Sequence, residues 1–113
     1  AKDTSGNSMT DILNYLSQHY QTATLRETAS HFGYSSSHFS TLIKEGTGQT
    51  FLQIIRSIKL EQACRALRET SLSNIAICEL VGYDSPEHFM RIFKKTYGMT
   101  PGEYRKKHHE QES

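Results

Sequence analysis

Arg91, Lys94 and Lys95 stand close together, just after Glu87, His88 and Met90. These are residue types that can read and hold nucleic acid. A guanidinium grips guanine O6 and N7 bidentately, a carboxylate accepts from a cytosine amine, and a methionine can lie against a thymine methyl. Lysines suit phosphates. Glu87 has a second possible role, beside a helix N-terminus. Earlier in the chain a more polar set, Ser36, Ser37, Ser40, Thr41 and Lys44, has similar spacing. Its hydroxyls both donate and accept, which suits base edges directly or through water. Taken singly, each side chain is also compatible with an ordinary solvated helix face.

The two sets lie in two copies of one pattern. Gly33-Tyr34-Ser35-Ser36 returns as Gly82-Tyr83-Asp84-Ser85, and His38-Phe39 as His88-Phe89. Leu42-Ile43-Lys44 returns as Ile92-Phe93-Lys94, and Gly48-Gln49-Thr50-Phe51 as Gly98-Met99-Thr100-Pro101. The offset is 49 residues before the turn and 50 after it, so the second copy carries one inserted residue. A small unit built twice suits a tandem ligand.

Helical periodicity and caps define the elements. Ser8, Thr24, Thr50 and Thr100 each precede an acid or amide by three residues, which marks helix starts. Pro86 and Pro101 fit first-turn positions. No stretch alternates apolar and polar residues as a strand would. The pattern predicts an all-α fold of about seven helices, near 9–19, 25–32, 36–46, 51–68, 74–80, 86–96 and 101–109. Inward-facing residues are Ile12, Leu13, Leu16, Leu25, Ala29, Phe32, Phe39, Leu42 and Ile43 in the first half. In the second they are Ile77, Cys78, Val81, Phe89, Ile92, Phe93 and Tyr104.

The fourth helix changes face halfway. At 100° per residue, Phe51, Ile54, Ile55 and Ile58 share one side, while Leu60, Ala63, Cys64 and Leu67 share the other. One core would keep one stripe, so this helix bridges two. Residues 1–8 read as a polar linker, 9–50 as the first helix-turn-helix subdomain, 51–68 as the bridge and 69–113 as the second subdomain with a C-terminal helix. The bridge would be roughly 27 Å long, against about 34 Å for one turn of B-DNA. That length could present two reading helices to successive major grooves.

In each copy the helices flank a short glycine turn, and a small residue, Ala29 or Cys78, stands four positions before the glycine. This is the construction of a helix-turn-helix, whose second helix enters the major groove. Ser37, Ser40, Thr41, Glu87, Met90 and Arg91 are therefore the candidate base readers. Ser36, Lys44, Ser85, His88, Lys94 and Lys95 are the candidate backbone contacts.

Over roughly residues 9–107 the chain resembles the DNA-binding domain of the AraC/XylS transcription regulators. The resemblance rests on the paired helix-turn-helix units and on Val81-Gly82-Tyr83, His88-Phe89, Arg91, Phe93-Lys94-Lys95, Gly98, Thr100-Pro101 and Tyr104-Arg105. It implies sequence-specific binding of double-stranded promoter DNA by both reading helices, usually to activate transcription through contact with RNA polymerase. The family usually adds a sensing or dimerisation domain on the N-terminal side, although it also has stand-alone members of similar size; the isolated domain is expected to be a monomer without an effector response. Against the family pattern, Lys59 replaces arginine, Cys78 replaces alanine and Asn74 replaces an apolar residue.

Composition narrows the alternatives. Of 113 residues 35% are hydrophobic, which allows only a thin core, and no apolar run approaches a membrane span. No signal peptide is recognisable, and a cytoplasmic location is expected. A net charge of +1 is uninformative, but its clustering at Arg91, Lys94 and Lys95 and at Arg105, Lys106 and Lys107 is not. Cys64 and Cys78 read as small buried thiols of a reducing compartment. The histidines are scattered without a ligand set, and no phosphate-binding glycine motif occurs. No metal or cofactor is expected, and no catalytic constellation supports an enzyme. A helix-turn-helix domain used mainly for dimerisation is one alternative, and the serious rival is a helical protein-interaction module, such as an RNA polymerase adaptor. It is weakened because the apolar positions shared by the repeats are all assigned to cores.

Overall fold

A computed structural model describes residues 8–112, with side chains described as far as residue 109. The linker expected at residues 1–8 lies, except for Ser8, outside the described residues. Seven helices follow in order: α1 (Met9–His19), α2 (Leu25–His31), α3 (Ser36–Thr47), α4 (Phe51–Glu69), α5 (Asn74–Val81), α6 (Pro86–Tyr97) and α7 (Pro101–Glu112).

Hydroxyl caps start every helix. Ser8 Oγ accepts from the Asp11 N–H, and Thr24 Oγ1 from that of Glu27. Two caps are fully reciprocal. Thr50 Oγ1 accepts from the Gln53 N–H while Gln53 Oε1 accepts from the Thr50 N–H. Thr100 and Glu103 repeat that exchange. It satisfies two otherwise orphaned donors at each helix start. Bonds from the Thr100 N–H and hydroxyl, helped by Lys94, hold the Glu103 carboxyl below its ordinary range. Ser35, Ser73 and Ser85 cap α3, α5 and α6 in the same way.

The chain divides into two compact units between Ile58 and Lys59, inside α4. In the first unit Ile12, Leu16, Ala29, Phe39 and Ile43 form a core with Phe51, Ile54 and Ile55 of α4. In the second, Leu60, Ala63, Cys64 and Leu67 of α4 are buried, as are Ile77, Cys78, Val81, Phe89 and Phe93. Each fully buried large apolar side chain contributes about 1.5–3 kcal/mol, so both halves of α4 are anchored by their own apolar face. The fourth helix changes sides as its periodicity predicts. Both cysteines are free and buried.

Two expectations need correction, and a third needs an addition. α2 stops at His31 and not residue 32, because Phe32 leaves helical geometry ahead of the positive-φ Gly33. α7 runs on to Glu112, since nothing after Gly102 breaks a helix of good helix formers. The apolar positions shared by the repeats are indeed buried or half-buried, but Leu52, Leu72 and Ile75 outside them are exposed. Core packing therefore does not use up every large apolar side chain. No helix among the described residues is long and apolar enough to cross a membrane.

Candidate nucleic-acid interface

The two turns are built alike. Tyr34 N–H donates to Ala29 O at 2.8 Å, and Tyr83 N–H to Cys78 O at 3.0 Å. Gly33 N–H reaches Ser30 O, and Gly82 N–H reaches Glu79 O. These bonds close the end of each first helix in a left-handed turn. Gly33 has φ +82° and Gly82 φ +91°. A Cβ would meet no neighbour at Gly33, so backbone conformation and not space selects glycine there; a side chain costs about 1–2 kcal/mol. Ala29 and Cys78 are buried beneath these turns, and Cys78 Sγ donates to Tyr83 O. Burial pushes the Cys78 thiol up from its ordinary range, with Glu79 and Asp84 adding to the effect.

The second turn has a brace absent from the sequence expectations. Lys59 of α4 donates through Nζ to Gly82 O at 3.0 Å and lies 5.0 Å from the Tyr83 ring centre. Burial lowers its pKa, and the nearby Asp84 partly offsets that. The equivalent helix caps are Ser35 and Ser85, not Ser36 and Ser85, so the residue inserted in the second copy is Asp84 and does not follow Ser85. The lysine thus fixes the turn through a carbonyl, an aromatic face and a charge at once.

After the turns the copies run in strict register. Ser35 caps α3 and Ser85 caps α6, and each helix has 12 residues and ends on a left-handed glycine, Gly48 or Gly98. Phe39 and Ile43 bury one face of α3, as Phe89 and Phe93 bury that of α6. Ser37, Ser40, Thr41, Glu87, Met90 and Arg91 are all exposed. So are Lys44, His88, Lys94 and Lys95, whereas Ser36 and Ser85 are half-buried.

Several of these groups already have partners. Thr41 Oγ1 donates to Ser37 O, which occupies its proton and leaves its lone pairs available. Lys44 Nζ reaches Gly48 O at 3.5 Å, a weak bond. Ser85 Oγ accepts from the His88 N–H and donates to Glu87 Oε1. Glu87 therefore takes up the helix-start role that its position allows. His38 stacks on Tyr34, and His88 lies tilted against Tyr83. Arg91 and Lys95 make no hydrogen bond or ion pair among the described residues, so their cationic groups are available to a ligand. Alongside α3 lies an open concavity of about 390 Å³, lined by Ser35, Ser37, His38, Thr41, Leu42 and Glu45.

Ser85→Ala removes the cap of α6, and a loss of about 1 kcal/mol is expected. Chemical denaturation checks this, with Ser71→Ala, at an exposed position that caps no helix, as the neutral control.

The second basic cluster is not uniform. Lys106 and Lys107 are exposed, but Arg105 points inward. Its Nε donates to Leu67 O at 3.2 Å, and its Nη2 to Thr70 O and Leu72 O. Arg68 meanwhile donates to the Tyr104 hydroxyl at 2.8 Å. Burial raises the pKa of both Tyr97 and Tyr104. Arg105 thus belongs to the framework beneath the site.

A helix-turn-helix domain family model matches residues 28–107. The chain is 37% identical over 75 residues to the HTH-type transcriptional regulator GlxA of Rhizobium meliloti, covering 66% of this chain and 23% of that protein. It is 31% identical over 102 residues to the probable transcription factor PqrA of Proteus vulgaris, covering 88% of this chain and 84% of that one. Among solved structures it matches the C-terminal domain of AraT, a response regulator from Geobacillus stearothermophilus. There the TM-score is 0.81 at 31% identity, with 87% of this chain and 83% of that chain covered. The chain spans less than a quarter of GlxA but most of PqrA.

Proposed function

Since the chain belongs to the AraC/XylS family of helix-turn-helix DNA-binding transcription regulators, we propose that α3 and α6 each read a major groove of promoter DNA. The reading assigns Ser37, Ser40 and Thr41 to bases in the first groove and Glu87, Met90 and Arg91 to bases in the second. Ser36, Lys44, Ser85, His88, Lys94 and Lys95 hold the backbone. Arg91 carries the proposal. It is exposed and unpaired among the described residues, on the outer face of a capped helix whose inner face is pinned by Phe89 and Phe93. A guanidinium held on so fixed a helix suits guanine.

A unit built twice suits a site of two short boxes. We also take activation through RNA polymerase, and a monomeric state for this domain alone, as the family reading. Selection from random duplexes tests the DNA proposal. The expected product is an asymmetric site with two short boxes, whose binding weakens steeply with salt. A single box would reduce α3 to a backbone clamp, and no enrichment would remove the proposal.

Two substitutions separate the roles. Arg91→Ala is expected to cost about 1–3 kcal/mol on the selected site and to relax selection at one base pair. Lys94→Ala should weaken all duplexes alike and reduce the salt slope by about one. Identical effects of both variants on every sequence would contradict the assignment.

A further inference from the structure

The strict register of α3 and α6 exposes one reversal of charge. Lys44 has its counterpart in Lys94, but Glu45 stands where α6 carries Lys95. Both positions are exposed, three residues before the left-handed glycine that ends the helix. Glu45 has no hydrogen bond or ion pair among the described residues, so no internal partner accounts for it. Its effect is large on so small a face. Within α3 one lysine and one glutamate cancel, whereas α6 sets three cations against Glu87.

We propose that Glu45 is a DNA-facing residue that limits affinity by repulsion: it faces a DNA phosphate where Lys95 of the second copy attracts one. The inference rests on the DNA-reading proposal. Reading helices bring their N-terminal residues to base edges. A residue near the C-terminal end, as Glu45 is, lies closer to the strand backbone. A carboxylate there denies the first unit the sequence-independent electrostatic attraction that supplies nonspecific binding. The second unit then anchors the domain on any duplex. The first adds affinity only where Ser37, Ser40 and Thr41 find matching bases. Unequal charge between the copies makes the second unit the stronger electrostatic anchor.

Binding by wild type, Glu45→Gln and Glu45→Lys is measured on the selected site and on scrambled duplex, each against salt concentration. Both variants alter an exposed side chain, and a thermal melt verifies that they fold as wild type does. Glu45→Gln should tighten both duplexes about two- to fourfold at moderate salt, the size expected of one screened charge a few ångströms away. Glu45→Lys should tighten them about tenfold and steepen the salt slope by about one counterion. The reciprocal Lys95→Glu should weaken both duplexes and flatten the slope. Loss of affinity in Glu45→Gln on the selected site alone would make Glu45 a base reader and overturn the proposal. Unchanged affinity would overturn it as well, by placing the residue away from the strand. If wild type binds no duplex, the DNA-reading proposal itself falls, and this inference with it.

Discussion

Phe93→Ala is expected to lower the stability of the second unit by about 3–5 kcal/mol, the cost of emptying a large site in a close-packed core. Phe93 is fully buried. Its ring lies 4.7 Å from that of Tyr97, 5.6 Å from Tyr104 and 5.9 Å from Phe89. It therefore ties α6 to α7 through edge and tilted aromatic contacts as well as by burial. Differential scanning calorimetry should show an early transition for the second unit, while the separate core of the first melts near its original temperature. DNA affinity should be lost over the same range, since Arg91 rides on the helix that Phe93 anchors. Phe93→Leu, which retains most of the volume, should lose far less. A Phe93→Ala protein within about 1 kcal/mol of wild type would mean that the site collapses around the smaller side chain.

Arg105→Ala should cost about 2–3 kcal/mol, judged from charge-assisted hydrogen bonds to otherwise unsatisfied carbonyls. α4 ends at Glu69 without the glycine that closes α3, α5 and α6. Its last carbonyls need other donors. The Thr70 N–H and hydroxyl both reach Ala66 O, and Arg105 supplies Leu67 O, Thr70 O and Leu72 O. A cation at this end also complements the helix dipole. Arg105→Lys should recover only part of the loss, because an ammonium lacks the planar fork. Lys106→Ala and Lys107→Ala should change stability by less than about 0.5 kcal/mol. Urea denaturation of the four variants distinguishes this from a DNA-contact role. In that case Arg105→Ala would keep its midpoint and bind duplexes more weakly.

These two residues show what could be read in the sequence and what could not. Phe93 was assignable to a core because it recurs with Phe89 at helical spacing and matches Ile43 of the first copy. Helix starts were legible for a similar reason, since a hydroxyl cap acts on a residue three positions away. Arg105 looked like one more surface cation in a basic run. Its partners lie 33 to 38 residues back, beyond any local pattern. The bond from Lys59 to Gly82 O spans 23 residues and was hidden in the same way. Ser35 was not legible as a cap, because the match of the glycine turns pairs Ser36 with Ser85 and hides where the extra residue lies. Glu45 was visible, but only a one-to-one match of α3 with α6 gives its charge a meaning.

The place where the two units meet in sequence has a consequence for motion on slow timescales. The amides of α4 form one continuous helical ladder, yet its two halves are secured by different cores. In deuterium exchange such a ladder should not behave as one. Amides before Ile58 should exchange at the opening rate of the first unit. Those from Ala63 onward should follow the second, with a step in protection between them. Deuterium uptake along a single uninterrupted helix would then report separately on two cooperative bodies.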